Sequence, residues 1–511
     1  MDFASAAVSH PIPRDAGKHN PSFRKPLKAL KNSRKQTSSN VESNSTLLSS
    51  LVPRAARFSA SVCAIVILAG MLCLNGCAAY RALSLNTKDV DRALDPLEGK
   101  ALSIAVRDIK HPLLRPVRLD ASDGLSPDEA AVIAVVLNPS LQAARDQVAE
   151  AKAQLLIAGI LPNPQLSGNL DFVTGGATTG TQTGTGFGLN WDLRSLITHG
   201  QDVASARADE YAVRLDVAWQ EWQTALEARS AVYDLAALRE QVTKAEEISK
   251  RLTGNVALVK KAEDSHEMTM VESSTVVVSA NESRASLLSL RQELDQSRIA
   301  LNRAIGYPPA TNLRLQKNVS LPSRVDVPSE STLLSGLENR RLDLIALRRG
   351  YESEDAKLRA AILAQFPNIS IGFSRASDTG NVHSLGPAIT IELPLFDHNQ
   401  GKISLENATR KRLFDEYTNR VFETRSDIAS AVSDIHSLNN QIAEAEHALP
   451  ALQHVLETSR KAVDEGNAEV LGLYTLENDF TRKSIDILKL KQQLAKARIA
   501  LETAAAWHLS Q

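Results

Sequence analysis

The chain of 511 residues carries 58 Lys+Arg and 59 Asp+Glu, a formal net charge of -1, which excludes a nucleic-acid-binding surface spread over the whole protein. Aromatic residues make up 4% and hydrophobic residues 43%, with only 24 Gly and 20 Pro; this composition disfavours a many-stranded barrel, a propeller or a low-complexity chain and favours long helices. Cys63, Cys73 and Cys77 all lie in one apolar stretch near the N-terminus. The rest of the chain therefore has no thiol for a disulfide, a Cys-zinc site or a cysteine nucleophile.

Residues 1–58 form a basic N-terminal extension with ten Lys/Arg, three Asp/Glu and no sustained apolar period, so we expect them to be disordered. Residues 59–76 follow Arg54 and Arg57, are uncharged and mostly apolar, and have the order of a secretory signal: a positive end, an apolar middle and small residues at the end. A true start at Leu51 or Val52, downstream of most of the extension, would leave a signal of ordinary length.

The signal ends in LNGC at residues 74–77, which resembles a bacterial lipobox: an aliphatic residue three before an invariant cysteine and a small residue directly before it. The resemblance implies that Cys77 receives lipid and becomes the first residue of the mature chain. Ala78 after it implies sorting to the outer membrane. An uncleaved membrane anchor with a buried cysteine is the alternative. Residues 77–124 are then the lipid anchor and an N-terminal tether.

The remainder of the chain is a duplication. The triplet LPN at 161–163 recurs as FPN at 366–368, and SRIAL at 297–301 recurs as ARIAL at 497–501. Each copy begins with a helical stretch, 127–159 or 331–364, continues through an alternating apolar and polar segment interrupted by a polar loop, and ends in two long runs almost without Gly. We therefore predict a first repeat at 125–308, a linker at 309–330 and a second repeat at 331–508.

The alternating segments predict strands with one apolar and one polar face. Strands of about ten residues with this pattern are typical of transmembrane β-strands, whose outer side meets lipid and whose inner side meets water. A half-buried hairpin on a soluble core would give the same pattern. The predicted apolar rows are Leu166, Leu170 and Phe172; Phe187, Leu189, Trp191 and Leu193; Ile369, Ile371 and Phe373; and Ile389, Ile391, Leu393 and Leu395.

The runs 201–253, 255–305, 402–465 and 473–511 contain no Gly and a single Pro, Pro450, which we expect to kink or break its helix. Runs of fifty to sixty residues make rods of roughly 75 to 90 Å, far longer than a globular domain needs, so we predict coiled-coil hairpins. The predicted seams are Leu287, Leu290, Leu294, Ser297 and Leu301 in the first repeat and Leu490, Leu494, Ala497, Leu501 and Ala504 in the second.

Four spanning strands cannot close a barrel, because the smallest bacterial outer-membrane barrels have about eight strands and an open edge in hydrocarbon leaves backbone groups unpaired. Three copies give twelve strands above twelve long helices. The predicted fold class is therefore α+β, mainly α: two tandem repeats, each with a transmembrane β-hairpin and long periplasmic coiled-coil helices, in a trimer that forms a 12-stranded β-barrel on an α-helical barrel.

At this point the sequence resembles the TolC-like outer-membrane efflux factors, including the lipid-anchored members of heavy-metal and multidrug pumps. The resemblance implies homotrimers that act as passive exit ducts, with energy from an inner-membrane pump and a periplasmic adaptor docked at the helical tips. The motifs that carry it are NPSL at 138–141 with AR at 144–145, AGILPNP at 158–164, FPN at 366–368, and LPLFD at 393–397 leading into NQG at 399–401.

The second long hairpin should reverse at Gly466, since glycine permits the positive φ of a helix end. By resemblance this is an adaptor-docking tip, to which Val470 and Leu473 contribute. The matching region of the first repeat carries Met268 and Met270. The alternative for these apolar residues is coiled-coil core at the turn.

In some relatives paired aspartates beyond the tip glycine line a closed entrance. Gly472 and Thr475 stand at those places here, so Glu469 and Glu477 are the candidate entrance carboxylates, and Glu392 lies on the polar, lumenal face of its strand.

His266, Met268 and Met270 bring imidazole and thioether groups together, which suits a soft ion such as Cu(I). The alternative is that these methionines fill apolar places at the turn.

The sequence contains no phosphate-binding loop, nucleophile elbow or acid/base pair, so we expect no enzyme and no cofactor besides the lipid on Cys77. We predict an outer-membrane lipoprotein that projects into the periplasm and conducts small molecules or metal ions outward, with no nucleic acid among its partners. The alternatives are an exit channel for type I protein secretion and, from a different class, a periplasmic adaptor or structural coiled-coil lipoprotein. An adaptor would normally have a single hairpin, whereas the hairpin here is doubled.

Overall fold

The computed structural model describes residues 80, 82, 85–97, 99–120, 122–177, 179–317, 319–468 and 470–509. The predicted extension, the signal and Cys77 lie outside these residues. From residue 85 onward the chain is one compact unit. Its elements in chain order are α1 (Thr87–Leu94), α2 (Gly99–Arg107), α3 (Pro127–Leu137), α4 (Pro139–Gly159), β1 (Gln165–Asp171), β2 (Gly184–Asp192), α5 (Arg194–Asp264), α6 (Met270–Ile305), α7 (Glu330–Leu334), α8 (Leu337–Arg340), α9 (Leu342–Leu363), β3 (Ile369–Ser377), β4 (His383–Ile391), α10 (Gln400–Asp464) and α11 (Val470–Ala505).

The duplicated order of elements is present, but each predicted leading helix is interrupted. Asn138 is extended between α3 and α4 because it caps the next helix, its side chain accepting from the Ser140 amide, and because Pro139 stands at the first helical position. Asn138 Nδ2 also donates to the Ala304 carbonyl at 2.9 Å, which attaches the break to the end of α6. In the second repeat Arg341 is extended in the same way ahead of α9.

The long helices run further than predicted. α5 has 71 residues and passes through Gly254, and α10 has 65 residues and passes through Pro450. These lengths correspond to roughly 105 and 98 Å. Of the two outcomes predicted at Pro450, the break is wrong, because α10 runs through this residue without interruption, and the kink stays a prediction.

The predicted seams are buried. Leu287, Leu290 and Leu301 lie in the core of the first repeat, and Leu494 and Leu501 lie in the core of the second. Helix α5 links the two, since Trp219 and Trp222 on it pack in one cluster with Ala495 and Ile499 of α11. Each repeat therefore has its own seam, and one long helix packs against both.

The four strands form one antiparallel sheet in the order β1-β2-β3-β4, so the two repeats meet at the β2–β3 pair. β2 ends at Asp192 and β4 at Ile391, which leaves the predicted strand residues Leu193, Leu393 and Leu395 just beyond the strands. β1 and β4 are the outer strands, each with one hydrogen-bonding edge unpaired within the described chain.

None of the described helices combines the length and the apolar character that a membrane-spanning helix requires.

Candidate functional site: a two-faced sheet and two hairpin tips

One face of the sheet is a continuous apolar surface. Register places Leu166 beside Leu189 and Leu189 beside Phe373, and the next row joins Trp191, Ile371 and Ile389. Apart from the half-buried Trp191, these side chains are exposed; Leu166, for example, is 77% exposed. An exposed apolar face on strands of seven to nine residues is what a lipid-facing barrel wall requires.

Trp191 marks the helical end of this apolar face. Its Nε1 donates to the Pro162 carbonyl at 2.9 Å. An indole with one polar contact beside an apolar surface is typical of the aromatic girdle at a membrane interface.

The opposite face is polar and built of small residues. In β1 it carries Gln165, Ser167, Asn169 and Asp171, and in the other strands chiefly Gly, Ser, Ala, Asn and Thr. Its charged groups within the described strands are carboxylates, from Asp171 at the far end and Asp192 at the helical end; Arg375 projects from the apolar face.

Glu392 lies directly after β4, at the helical end of the sheet. It is largely exposed, and its Oε2 lies 3.7 Å from Arg194 Nη2. Its amide donates to the Asn368 carbonyl, which places it in the corner where the strand leaves the sheet. Its predicted lumenal role stays a prediction.

Both long hairpins reverse through a residue in the left-handed conformation. Gly466 has φ 75°, as predicted, and His266 has φ 63° at the same place in the first hairpin. The amide after each donates back into the last helical turn, Asn467 to the Ala462 carbonyl and Glu267 to the Ala262 carbonyl. His266 is thus the structural counterpart of Gly466, a helix-ending residue.

The tips differ in what they expose. Met270 is 74% exposed and lines a shallow groove with Val271 and Val278, whereas Met268 is half-buried. Leu473 is only 8% exposed, so its predicted place on a docking surface is wrong: it belongs to the coiled-coil seam. An exposed apolar surface is therefore present on the first tip. The backbone of Val470 begins α11, but its side chain and the whole of Glu469 lie outside the described residues.

Glu477 does not line an acidic entrance within the protomer. It is 5% exposed, and its Oε1 accepts from Arg251 Nη1 at 3.1 Å and from Arg460 Nη2 at 2.6 Å. These residues lie on α11, α5 and α10, so one carboxylate joins the two hairpins. The sequence contained a signal for this buried ion pair. Glu477 stands four residues after Leu473, at a seam position of the coiled coil, where a charge must be paired.

A second cross-link lies one turn away, where the side chain of Asn255 hydrogen-bonds the Tyr474 hydroxyl. Burial raises the pKa of Tyr474 above its usual value, and the Glu477 carboxylate raises it further. Together the two contacts hold α11 against α5 near the tips.

No group of three or more His, Cys, Asp or Glu residues arranged to hold a metal ion occurs in the part of the chain that the structure describes. His266 Nδ1 lies 3.3 Å from the Asp264 carbonyl oxygen within its own turn. The predicted soft-ion site at His266, Met268 and Met270 stays a prediction.

The comparisons with known proteins agree with this architecture. Residues 333–506 match the family model described as outer membrane efflux protein. The chain is similar to the cation efflux system protein CusC of Escherichia coli strain K12, at 24% identity over 403 residues that cover 73% of this chain and 84% of the relative.

Among solved structures, a crystal structure of CusC superposes with a TM-score of 0.62 at 20% identity, covering 78% of this chain and 98% of that one. The Campylobacter jejuni CmeC outer membrane channel superposes with a TM-score of 0.64 at 12% identity, covering 84% and 94%.

The chain therefore carries the outer membrane efflux protein match over residues 333–506 and shares the fold of these two channel structures. It is an outer-membrane exit duct, and its helices project into the periplasm. The family consists of channels, not enzymes.

Proposed function

We propose that three copies of the chain assemble into one duct, held in the outer membrane by a shared twelve-stranded barrel and by lipid on Cys77. The observation that supports the trimer is the four-stranded sheet with an apolar face and two unpaired edges. In hydrocarbon those edges must pair, and β1 of one copy against β4 of the next satisfies both.

We further propose that a periplasmic adaptor docks at the first tip, on the groove of Met270, Val271 and Val278, and links the duct to an inner-membrane pump. An exposed apolar groove next to a helix turn is a surface on which a partner helix can bury its own apolar face.

This docking is tested by Met270→Lys, with Met270→Leu as the matched control. We expect the lysine variant to form the same oligomer in detergent but to lose efflux in cells and cross-linking to the adaptor, while the leucine variant keeps both. Full efflux with Met270→Lys would place the docking surface elsewhere.

We propose that the cargo is cationic, with metal ions as the first candidates. The polar face of the sheet carries carboxylates and, in its described strands, no lysine or arginine, and rings of carboxylates favour cations in a pore. The similar CusC proteins are named as parts of a cation efflux system.

The charge of the pore is tested by the reversal potential of the purified duct in a planar bilayer under a KCl gradient. We expect cation selectivity, reduced by Asp171→Asn and unchanged by Arg375→Gln on the apolar face. Anion selectivity of the unaltered protein would contradict the proposal.

A further inference from the structure

On the polar face of the sheet, side chains of β1 lie opposite glycines of β2. Glycine in a strand interior weakens the strand, so three of them in one short strand, all on one face, need a reason. The register supplies it, because each glycine has a polar partner across the ladder. The pairs are Asp171 with Gly184, Asn169 with Gly186 and Ser167 with Gly188.

Asn169 shows what the glycines allow. Its Oδ1 occupies the space in which a Cβ of residue 186 would stand, and its Nδ2 donates to Asp171 Oδ2 at 3.0 Å. The carboxamide therefore lies along the sheet, over the backbone of β2, and does not stand upright from it.

Two further pairs follow the same arrangement. Ser167 Oγ lies 2.8 Å from the position of a Cβ on Gly188 and donates to the Gly188 carbonyl at 3.3 Å. One strand further, Asn190 of β2 lies opposite Gly372 of β3, and its Oδ1 fills the place of that Cβ. The side chains of Ser167, Asn169 and Asn190 thus lie flat over the glycines of the neighbouring strand, and we call this arrangement the flat lining.

The remaining sheet glycines supply the contrast. Gly386 in β4 is on the same polar face, but nothing lies within 4 Å of a Cβ built on it. Gly168 in β1 is on the apolar face, where a Cβ would meet the Phe187 ring at an ordinary 3.7 Å. Gly386 also has a polar cross-strand partner, Ser374, so a glycine is required only where the partner side chain reaches over it.

We propose that Gly186, Gly188 and Gly372 set the bore of the barrel, and with it the largest solute that enters the duct from its β-stranded end. Each lets a polar side chain lie against the wall that would otherwise project into the lumen, and a trimer repeats the effect three times. This inference rests on the proposed trimeric duct, whose interior is the polar face.

The purified duct is placed in a planar bilayer, and polyethylene glycols of graded mass are added on the side of the loops that join β1 to β2 and β3 to β4. The experiment measures which of these polymers enter the pore. In Gly186→Ala the new methyl displaces the Asn169 carboxamide into the lumen. We expect the mass cutoff for polymer entry to fall roughly 1.5-fold. Asn169→Ala in the Gly186→Ala background removes the displaced group and should restore the original cutoff.

Two control variants add the same methyl group without displacing a side chain: Gly386→Ala on the polar face and Gly168→Ala on the apolar face. Both should keep the cutoff of the unaltered protein. Gly188→Ala displaces only the Ser167 hydroxyl and should give a smaller fall; it carries the test if Gly186→Ala does not assemble.

The proposal is overturned if Gly186→Ala and Gly188→Ala have the same cutoff as Gly386→Ala, or if Asn169→Ala fails to restore the pore. The proposed duct itself, as distinct from this inference, is refuted if the unaltered protein shows no conductance.

Discussion

The two hairpin tips have the same backbone and different chemistry. One helix ends at Asp264 and the other at Asp464, and each chain then turns through a left-handed residue two positions later, His266 in the first tip and Gly466 in the second. The first tip exposes Met270. In the second tip Leu473 is buried, and Glu477 joins this tip to the first hairpin.

This difference teaches that duplication preserved the turn and left the two tips free to specialise. The first tip combines a strained residue with an exposed apolar groove, which suits a surface that a partner covers. The second combines a relaxed turn with a buried ion pair, which suits the attachment of one hairpin to the other.

We expect the largest change in local stability from breaking the ion pairs by which Glu477 joins the two hairpins. Glu477→Gln removes the charge shared by Arg251 and Arg460 and should destabilise the tip region by roughly 2 kcal/mol, less than a fully buried pair because both guanidiniums are nearly half exposed. Hydrogen exchange of the α5 and α11 amides near the tips measures this.

The control for that variant is Asp479→Asn, which breaks an exposed pair with Arg482 on the same helix. It should change local stability by at most about 0.5 kcal/mol. Equal effects from the two variants would mean that the Glu477 contact does not hold the hairpins together.

The next largest change in stability is expected from a substitution in the turn of the second tip. Gly466→Ala places a Cβ on a residue with φ 75° and should cost about 1 to 2 kcal/mol in the local stability of the turn. Nothing lies within 4 Å of the new methyl, so conformational strain alone is tested. Unchanged exchange of the amides at residues 462–468 would contradict the strained-turn explanation.

The reciprocal change should make the first tip more like the second. His266→Gly relieves the positive φ and should stabilise the turn by about 0.5 to 1 kcal/mol, since the gain is reduced by the greater freedom of glycine in the open state. Exchange of the Glu267 amide reports it directly. A loss of stability would indicate that the imidazole makes a contact on which the tip depends.

The smallest effect is a pH dependence confined to the first tip. Thr269 and Glu272 form a capping box, and hydrogen bonds from the Thr269 amide and hydroxyl hold the pKa of Glu272 below its usual range. The contribution of this carboxylate is therefore complete above the usual glutamate pKa and is lost as the pH falls through the lowered value.

The measurement compares the protection of α6 amides near Thr269 in acid and at neutral pH, with the second tip as the internal reference. Glu272→Gln keeps a capping side chain without a titrating group and should abolish the difference. An equal pH dependence in both proteins would assign it to another group.

Sequence patterns predicted the parts of this fold that depend on neighbours along the chain. The period of two in the strands, the seam through Leu494 and Leu501, and the positive φ at Gly466 all follow from local rules and are present. The same rules allowed a break at Pro450, which the helix does not have.

The features that escaped prediction depend on register between distant segments. Glu477 meets Arg251 only because two hairpins lie side by side at one particular offset. Likewise, the role of Gly186 becomes visible only when Asn169 is known to be its cross-strand partner. The sequence pattern gave Glu477 the role of an entrance carboxylate, which it does not have within the protomer, and gave Gly186 no role.

The native mass of the membrane-extracted protein in detergent decides whether several copies share one barrel. We expect three copies of the chain in one particle with the β-structure intact, because the unpaired edges of β1 and β4 close only through neighbouring copies. A monodisperse monomer that retains its β-structure in detergent would contradict the shared barrel.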